Sequence, residues 1–414
     1  MKLVTADQMR AIEQSCVEAG ISLDELMENA GLAVANAVKA GFDDDGGRIY
    51  GKRIMILIGA GNNGADGFVA GRHLADWAAS VTALLCLSRG YPDQKRDLAQ
   101  DAGAESFQHR MEFTDLVIDA ILGIGASRPI GTTLAWLLSA YANSGVPVVA
   151  LDLPTGLNSD TGEFDPAGLP ADQTLQLGYP KLGPALTGDS YVTGEIEVLD
   201  IGIPFGFDSQ VNTTLLTDDF TTFVHPLRPT DGHKGTFGST LIIGGSQDYL
   251  GAVTMATDAA GRSGVGLTFV ATPEPAYNQI AGNIPEEMYR SLPVSANGNV
   301  DPSGAARIAL ELAARSTSAV IGPGLGNNEN TAEFLTIALS QLDPATPFVL
   351  DADALNIFSK SHQWRDRFES PAVLTPHPGE MSRLGISTQE VQQDRKTSAL
   401  EAANKFNRVV VLKG

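Results

Sequence analysis

Three stretches of the 414-residue chain end an apolar run in oxygen-bearing side chains set among glycines. The first, IGAGNNGADGFVAGRHL at 58–74, has the Gly59-x-Gly61-x-x-Gly64 spacing of a dinucleotide-binding loop, but it carries two amides, Asn62 and Asn63, and an acid, Asp66. The second, DLVIDAILGIGASRPIG at 115–131, puts Asp119 at the end of its apolar run and follows it with Gly123 to Pro129. The third, VPVVALDLPTGLNSDTG at 146–162, puts Asp152 there, followed by Pro154, Thr155 and Gly156. Carboxyl groups beside glycines can exchange protons with a polar ligand that approaches the backbone. Amide, hydroxyl and carboxylate oxygens are also hard donors, suited to an alkali or alkaline-earth cation. A loop that only cradles pyrophosphate works through backbone N–H groups and gains nothing from an acid. For Asp66 the plain alternative is a helix cap, and for any single Asp a turn. An NAD site wants an acidic ribose ligand about twenty residues on. Here the next apolar run ends in Ser88-Arg89, which disfavours NAD and leaves NADP open.

These residues must be held by strands. The runs RIMILIG, VTALLCL, LVIDAIL, VPVVALDL, QTLQLG and GEIEVLDIG alternate with helical stretches. That pattern predicts a doubly wound α/β domain with a buried parallel sheet, whose ligand crevice lies at the carboxyl ends of its strands. Two helices open the chain, one starting with Thr5 and Gln8 in capping-box spacing, the other with Ser22 and Glu25 and ending near Gly41. Residues 203–232, rich in Pro, Gly, Asp and Thr, are expected to be a linker, giving domains over 1–215 and 216–414. A second series follows: STLIIGGS, GLTFVATPE, SAVIGPGLG, PFVLDADALN, PAVLTPHPGE and RVVVLKG. Its motifs do not repeat the first series, so a different α/β domain is expected. Gly244, Gly245, Gly322, Gly324 and Gly326 at strand ends suggest backbone contact with a nucleotide. Asp351 and Asp353 read as caps of a helix near Ala354, and His377, between two prolines, as a rigid turn.

A net charge of −21 argues against nonspecific binding to nucleic acid or anionic membranes. No apolar run has membrane-spanning length. Cys16 and Cys86 alone make no disulfide framework, so a reducing, cytoplasmic setting is expected. Neither a Cys/His cluster with zinc spacing nor a Gly-x-Ser-x-Gly elbow occurs.

Taken in order, MENAG, GAGNNGADGFVAGRHL, VIDAILGIGASRP, ALDLPTGLNSDTG and ADQTLQLGYPKLG resemble the NAD(P)H-hydrate epimerase family across nearly all of residues 1–205. The resemblance implies a Rossmann-like fold and repair of hydrated nicotinamide nucleotides. It implies substrate contacts at Asn62, Asn63, Gly64, Ala65 and Asp66, at Gly123, Ile124, Gly125, Ala126, Ser127, Arg128 and Pro129, and at Asp152. It further implies a potassium ion held by Asn63, Asp119 and Thr155. Ala65 stands where the family usually has Gly. The substrate carries a hydroxyl on the carbon beside the ring nitrogen, and its configuration inverts if hydroxide leaves and water returns to the other face. A positioned acid must protonate the leaving hydroxide, and a base must activate the water. Asp152 is the first choice for that role and Lys181 the second.

The later series resembles the ADP-dependent NAD(P)H-hydrate dehydratase domain, a relative of ribokinase-like kinases, over roughly 225–414. That implies Ala252, Gly324 and His377 at the hydrated nucleotide, Lys413 and Gly414 beginning an ADP site, and Mg2+ with the ADP. Domains of this kind continue past the lysine strand to a glycine-rich loop ending in Gly-Asp, which these residues do not contain. A truncated, ribokinase-like second domain with little or no turnover is therefore expected. Two other readings stand beside this one: an NADP-linked reductase fused to a small-molecule kinase, and a noncatalytic nucleotide-binding second domain. The expected partner is the hydrated NADH or NADPH, with no nucleic acid and no membrane; a homo-oligomer is left open.

Overall fold

The computed structural model describes residues 1–42, 49–77, 79–88, 93–103, 105–106, 114–125, 128–224, 227–360 and 370–414. The chain divides into two compact units, Met1–His225 and Pro226–Gly414. Each is built on a seven-stranded sheet whose neighbouring strands all pair in parallel.

In the first unit the strands are β1 (Arg53–Ile58), β2 (Ser80–Leu85), β3 (Glu105–Ser106), β4 (Leu116–Ala120), β5 (Val148–Leu151), β6 (Gln173–Leu177) and β7 (Glu195–Leu199). They lie in the order β3-β2-β1-β4-β5-β6-β7. The order reverses between β1 and β4, which opens a crevice beyond their carboxyl ends. The continuous apolar runs follow from burial on both faces. Along β1, Ile54, Ile56 and Ile58 pack in one core with Val34, Phe68 and Leu74, while Met55 and Leu57 enter another with Leu138 and Tyr141.

Three helices frame the crevice: α1 (Ala6–Glu18), α2 (Leu23–Ala40) and α3 (Asn62–Asp76). Thr5 and Gln8 form the expected capping box, Ser22 caps α2 through the Glu25 N–H, and Gly41 closes it. α2 and α3 touch closely at Gly31, where an added Cβ would lie 2.4 Å from Val69 Cβ. α1 is tied to the sheet by Val4, which pairs in parallel with Lys181, and by the Ala6 N–H, which donates to Asp160 Oδ1 at 2.7 Å.

The second unit holds β8 (Ser239–Ile243), β9 (Leu267–Pro273), β10 (Met288–Leu292), β11 (Ser318–Ile321), β12 (Phe348–Leu350), β13 (Ala372–Leu374) and β14 (Val409–Val410). Their order, β10-β9-β8-β11-β12-β13-β14, repeats the first sheet's winding, although the loop motifs differ. Just past the fifth strand, both sheets carry a non-glycine residue with positive φ, one residue beyond β5 in the first and two beyond β12 in the second. Asp152 follows β5 at φ 67°, and Ala352 follows β12 at φ 49°.

Two expectations are corrected. Residues 203–215 are not linker. Leu215 N–H donates to Met1 O at 2.7 Å, Lys2 pairs with Thr214, and Val211 is buried. Their weak periodicity marks irregular chain that is nonetheless bonded to the N-terminal residues, and the division between units falls after residue 225. The short edge strands β3 and β10 were not expected. β3 has two residues, and β10 is only partly buried, so neither shows the apolar run of a central strand. Among the described residues no helix is long and apolar enough to cross a membrane.

Candidate functional site

A cavity of about 380 Å³ opens at the crevice of the first unit. Its walls come from α1 (Met9, Arg10, Glu13), α2 (Leu23, Leu26, Met27, Ala30), the start of α3 (Asn62, Asn63, Asp66) and the segment after β4 (Ile121 to Gly125). Asp152, Leu177, Lys181 and Ile201 complete it.

The tips of β1 and β4 are held together because Gly59 has no side chain: an added Cβ would lie 1.8 Å from Ile121 O. Beyond Gly59 the chain turns into α3 at Asn62, with Gly61 as an N-cap that supplies no side-chain bond. The helix therefore begins four residues before Asp66, and Asp66 does not cap it. The Asn-Asn-Gly run reads as a turn in sequence, yet here it forms the first turn of the helix. The Asp66 side chain instead faces the cavity from the second turn, 7% exposed. Burial first, then Asp152 and Glu13, hold its carboxyl well above the ordinary range. Ala65 is buried with ordinary helical backbone, so its Cβ in place of Gly causes no strain. Gly64 and Ala65 sit behind the lining residues. Gly123, Ile124 and Gly125 line the cavity, whereas Arg128 and Pro129 are exposed and do not. Ala126, Ser127 and Arg89 lie outside the described residues.

Asp152 is placed by a tight turn. Leu153 N–H donates to Leu151 O at 2.9 Å across it, and its positive φ suits Asp better than most residues. Its Oδ1 accepts from the Leu177 N–H at 3.2 Å and meets Lys181 Nζ at 2.5 Å. Lys181 is 1% exposed and also donates to Leu177 O at 2.7 Å. Sequence reading ranks this lysine second because most lysines are solvated; the structure makes it the fixed partner of Asp152.

Asp119, near the end of β4, and Thr155, in the segment after β5, bond to each other. Asp119 is fully buried; its Oδ2 accepts from the Thr155 N–H at 2.7 Å, and its Oδ1 from Thr155 Oγ1 at 2.8 Å and the Ile121 N–H at 3.2 Å. Burial pushes its carboxyl up to about 6 against these hydrogen bonds. Thr155 Oγ1 also accepts from the Leu122 N–H, and the next residue, Gly123, abuts the Asn63 amide. Asn63 Nδ2 is buried without a partner among the described residues. The three expected cation ligands are thus brought together by one short chain of contacts.

Glu13 is absent from the sequence-based candidates. In α1 the residues Met9, Ile12 and Cys16 form the core face, and Glu13 borders it one turn after Met9. In sequence that position reads as the polar rim of an amphipathic helix. The cysteines add no chemistry: Cys16 is buried, and burial together with Asp119 pushes the Cys86 thiol up to about 12.

In the second unit Lys413 Nζ meets Asp351 Oδ1 at 2.6 Å, and Thr375 Oγ1 donates to the same oxygen at 2.7 Å. Glu380 and His377 border this cluster: Lys413 Nζ lies 4.0 Å from Glu380, and His377 Nε2 3.5 Å from it. His377 caps the helix Pro378–Arg383, its Nδ1 accepting from the Gly379 N–H. Neither Asp351 nor Asp353 is a helix cap: the helix starts at Asp353, and Asp353 Oδ2 accepts instead from the Gly326 N–H at 2.9 Å. Gly324, at φ 65°, lies against the Tyr249 backbone, just ahead of the exposed Ala252. Gly414 is exposed.

Comparison with known proteins places the chain among relatives. The family described as NAD(P)H-hydrate dehydratase matches residues 240–414, and the YjeF-related protein N-terminus family matches residues 23–183. The bifunctional NAD(P)H-hydrate repair enzyme Nnr of Moorella thermoacetica is 34% identical, over all of this chain and 81% of that protein. Its namesake in Escherichia coli is 31% identical, over 99% of this chain and 76% of that protein. A solved ADP/ATP-dependent NAD(P)H-hydrate dehydratase from Bacillus subtilis, co-crystallized with ATP/Mg2+, is 32% identical over 48% of this chain and 65% of its own, with a TM-score of 0.38.

Proposed function

The chain belongs to the family of bifunctional NAD(P)H-hydrate repair enzymes, and from that we propose that its first unit interconverts the R and S forms of hydrated NADH and NADPH, while its second removes water from the S form with ADP. The observation that carries the reading is the cavity of the first unit, where Asp152, its partner Lys181 and Asp66 converge beside the open first turn of α3. Asp152 accepts and returns the proton of the water that leaves and re-enters the ring. Its charge also favours the cationic ring formed between these steps. The N–H groups of the first turn of α3 suit the phosphates of the substrate. Apolar Met9, Leu26 and Met27 give the ring a surface to rest on.

Asn63, Asp119 and Thr155 fit a potassium ion by their chemistry. All three bear oxygen donors, and the Asp119 carboxylate is buried with neutral partners. A bound ion would balance the buried carboxylate and fasten the segment after β4 to α3. Replacing choline with potassium at constant ionic strength should raise the unfolding temperature of the first unit, by mass action on the native state. Asp119→Ala should remove the potassium-specific part of that rise. Equal unfolding temperatures in the two salts for the parent chain would discard the ion site.

For the second unit, Ala252, Gly324 and His377 are the proposed substrate contacts, and Lys413 and Gly414 the start of the ADP site. Mg2+ accompanies nucleotide phosphates and takes few protein carboxylates; Asp351, beside Lys413, is the proposed one.

The direct test starts from the pure R form without ADP. Chromatography should show the S form growing to equilibrium much faster than in protein-free buffer. An unchanged R form after prolonged incubation would refute the epimerase reading.

A further inference from the structure

We infer that Glu13 is a second proton-transfer group of the cavity: it donates the proton on which the ring hydroxyl leaves, and Asp152 takes the proton of the water that returns. This rests on the epimerase reading and divides between two residues what one would otherwise do.

The argument begins with Asp152. One of its oxygens is engaged by Lys181 and by the Leu177 N–H, so it stands as a proton acceptor. A hydroxide leaving group needs a donor, which must come from elsewhere. Two other carboxyl groups line the same cavity, Glu13 on α1 and Asp66 on α3, and neither has a hydrogen bond or ion pair among the described residues. Asp66 is nearly sealed, whereas Glu13 is half-buried and can reload from solvent. α1 is also registered to the reacting centre, since the Val4–Lys181 pairing joins its start to the residue that holds Asp152. The surroundings of Glu13 favour its protonated form. Burial and then Asp152 raise its carboxyl, and Lys181 and Arg10 counteract them. Asp66 and Cys16 also face it.

The step balances without a further reactant. Glu13 protonates the hydroxyl, the C–O bond breaks with its electron pair on the departing water, and the nitrogen lone pair forms the C=N bond of an iminium ion. Water adds to the opposite face, the C=N pair returns to nitrogen, and Asp152 takes the released proton. Each passage moves one proton from Glu13 to Asp152. The enzyme is then set for the opposite epimer, or resets through solvent at the cavity mouth.

The test is Glu13→Gln in the full chain, with initial rates measured from each pure epimer across pH. From the epimer whose hydroxyl faces Glu13 the acid form is needed, so the parent's rate from that epimer should fall on the alkaline side as Glu13 loses its proton. In Glu13→Gln kcat should drop about a hundredfold in both directions, the alkaline fall should vanish, and KM and unfolding temperature should move little. Glu13→Asp should recover part of the rate together with the alkaline limb. A Glu13→Gln enzyme with parental rate and limb, alongside an inactive Asp152→Asn, would overturn the proposal and leave the epimerase reading standing. Loss of the limb in Asp66→Asn but not in Glu13→Gln would overturn it in favour of Asp66. If neither Glu13→Gln nor Asp152→Asn slows the reaction, both residues leave the mechanism and this inference is overturned; only a parent chain that fails to speed interconversion overturns the epimerase reading itself.

Discussion

Asp152→Asn is expected to lower kcat for epimerisation by roughly 10²–10⁴, the usual contribution of a positioned acid–base group. Asparagine is the informative replacement because it tolerates the positive φ of this turn, which most side chains strain to adopt. It also keeps an oxygen for the Leu177 N–H and Lys181. What it loses is the charge and the exchangeable proton. The cost in stability comes from Lys181, left buried with an uncompensated charge; breaking such a pair typically costs about 3–5 kcal/mol, and the retained amide oxygen should hold this case near or below the lower end. The double variant Asp152→Asn/Lys181→Met removes both charges and should regain much of the unfolding temperature without regaining activity. Near-parental turnover in Asp152→Asn would remove this residue from the mechanism whatever its effect on stability.

Gly59→Ala should be among the most damaging small changes in the first unit. Its Cβ would fall 1.8 Å from Ile121 O and 2.6 Å from the Ile121 carbonyl carbon, and these are backbone atoms with no rotamer to escape into. The tips of β1 and β4 must part, which strains the Gly59 N–H bond to Ala120 O at 3.0 Å. Overpacking of this kind costs about 1–3 kcal/mol or more, and in a unit of this size each kcal/mol lowers the unfolding temperature by about 2–4 °C. Asn62, Asn63 and Gly123 would shift with the tips, so activity should fall further than stability alone explains. Gly131→Ala is the control, since its Cβ meets nothing within 4 Å. Calorimetry that places both variants at the same unfolding temperature would contradict the close approach.

The central strands were legible because burial on both faces turns a strand into an unbroken apolar run, as in the fully buried β4 and β5. The tips were legible for a related reason: Asp119, Asp152 and Gly59 stand where such runs end. Where local composition and tertiary placement part, sequence reading fell short. Asn62 and Asn63 are turn formers by propensity, yet they begin α3, because the crevice leaves the N–H groups of a first turn open. Glu13 is an ordinary rim residue of α1 until that helix docks across the strand ends, and nothing in its neighbours reports the docking. Lys181 is a surface residue type held buried by a carboxylate and a carbonyl that lie near it only in three dimensions.

The left-handed residue behind the fifth strand of each sheet bears on how such scaffolds diversify. A kinked exit just past a strand decides where a side chain will project before its identity is chosen. In one half the kinked residue is an acid one position past the strand; in the other it is an alanine two positions past, with an acid on either side. New chemistry can therefore be tried at this point by exchanging single residues, while the sheet that carries it stays as it is.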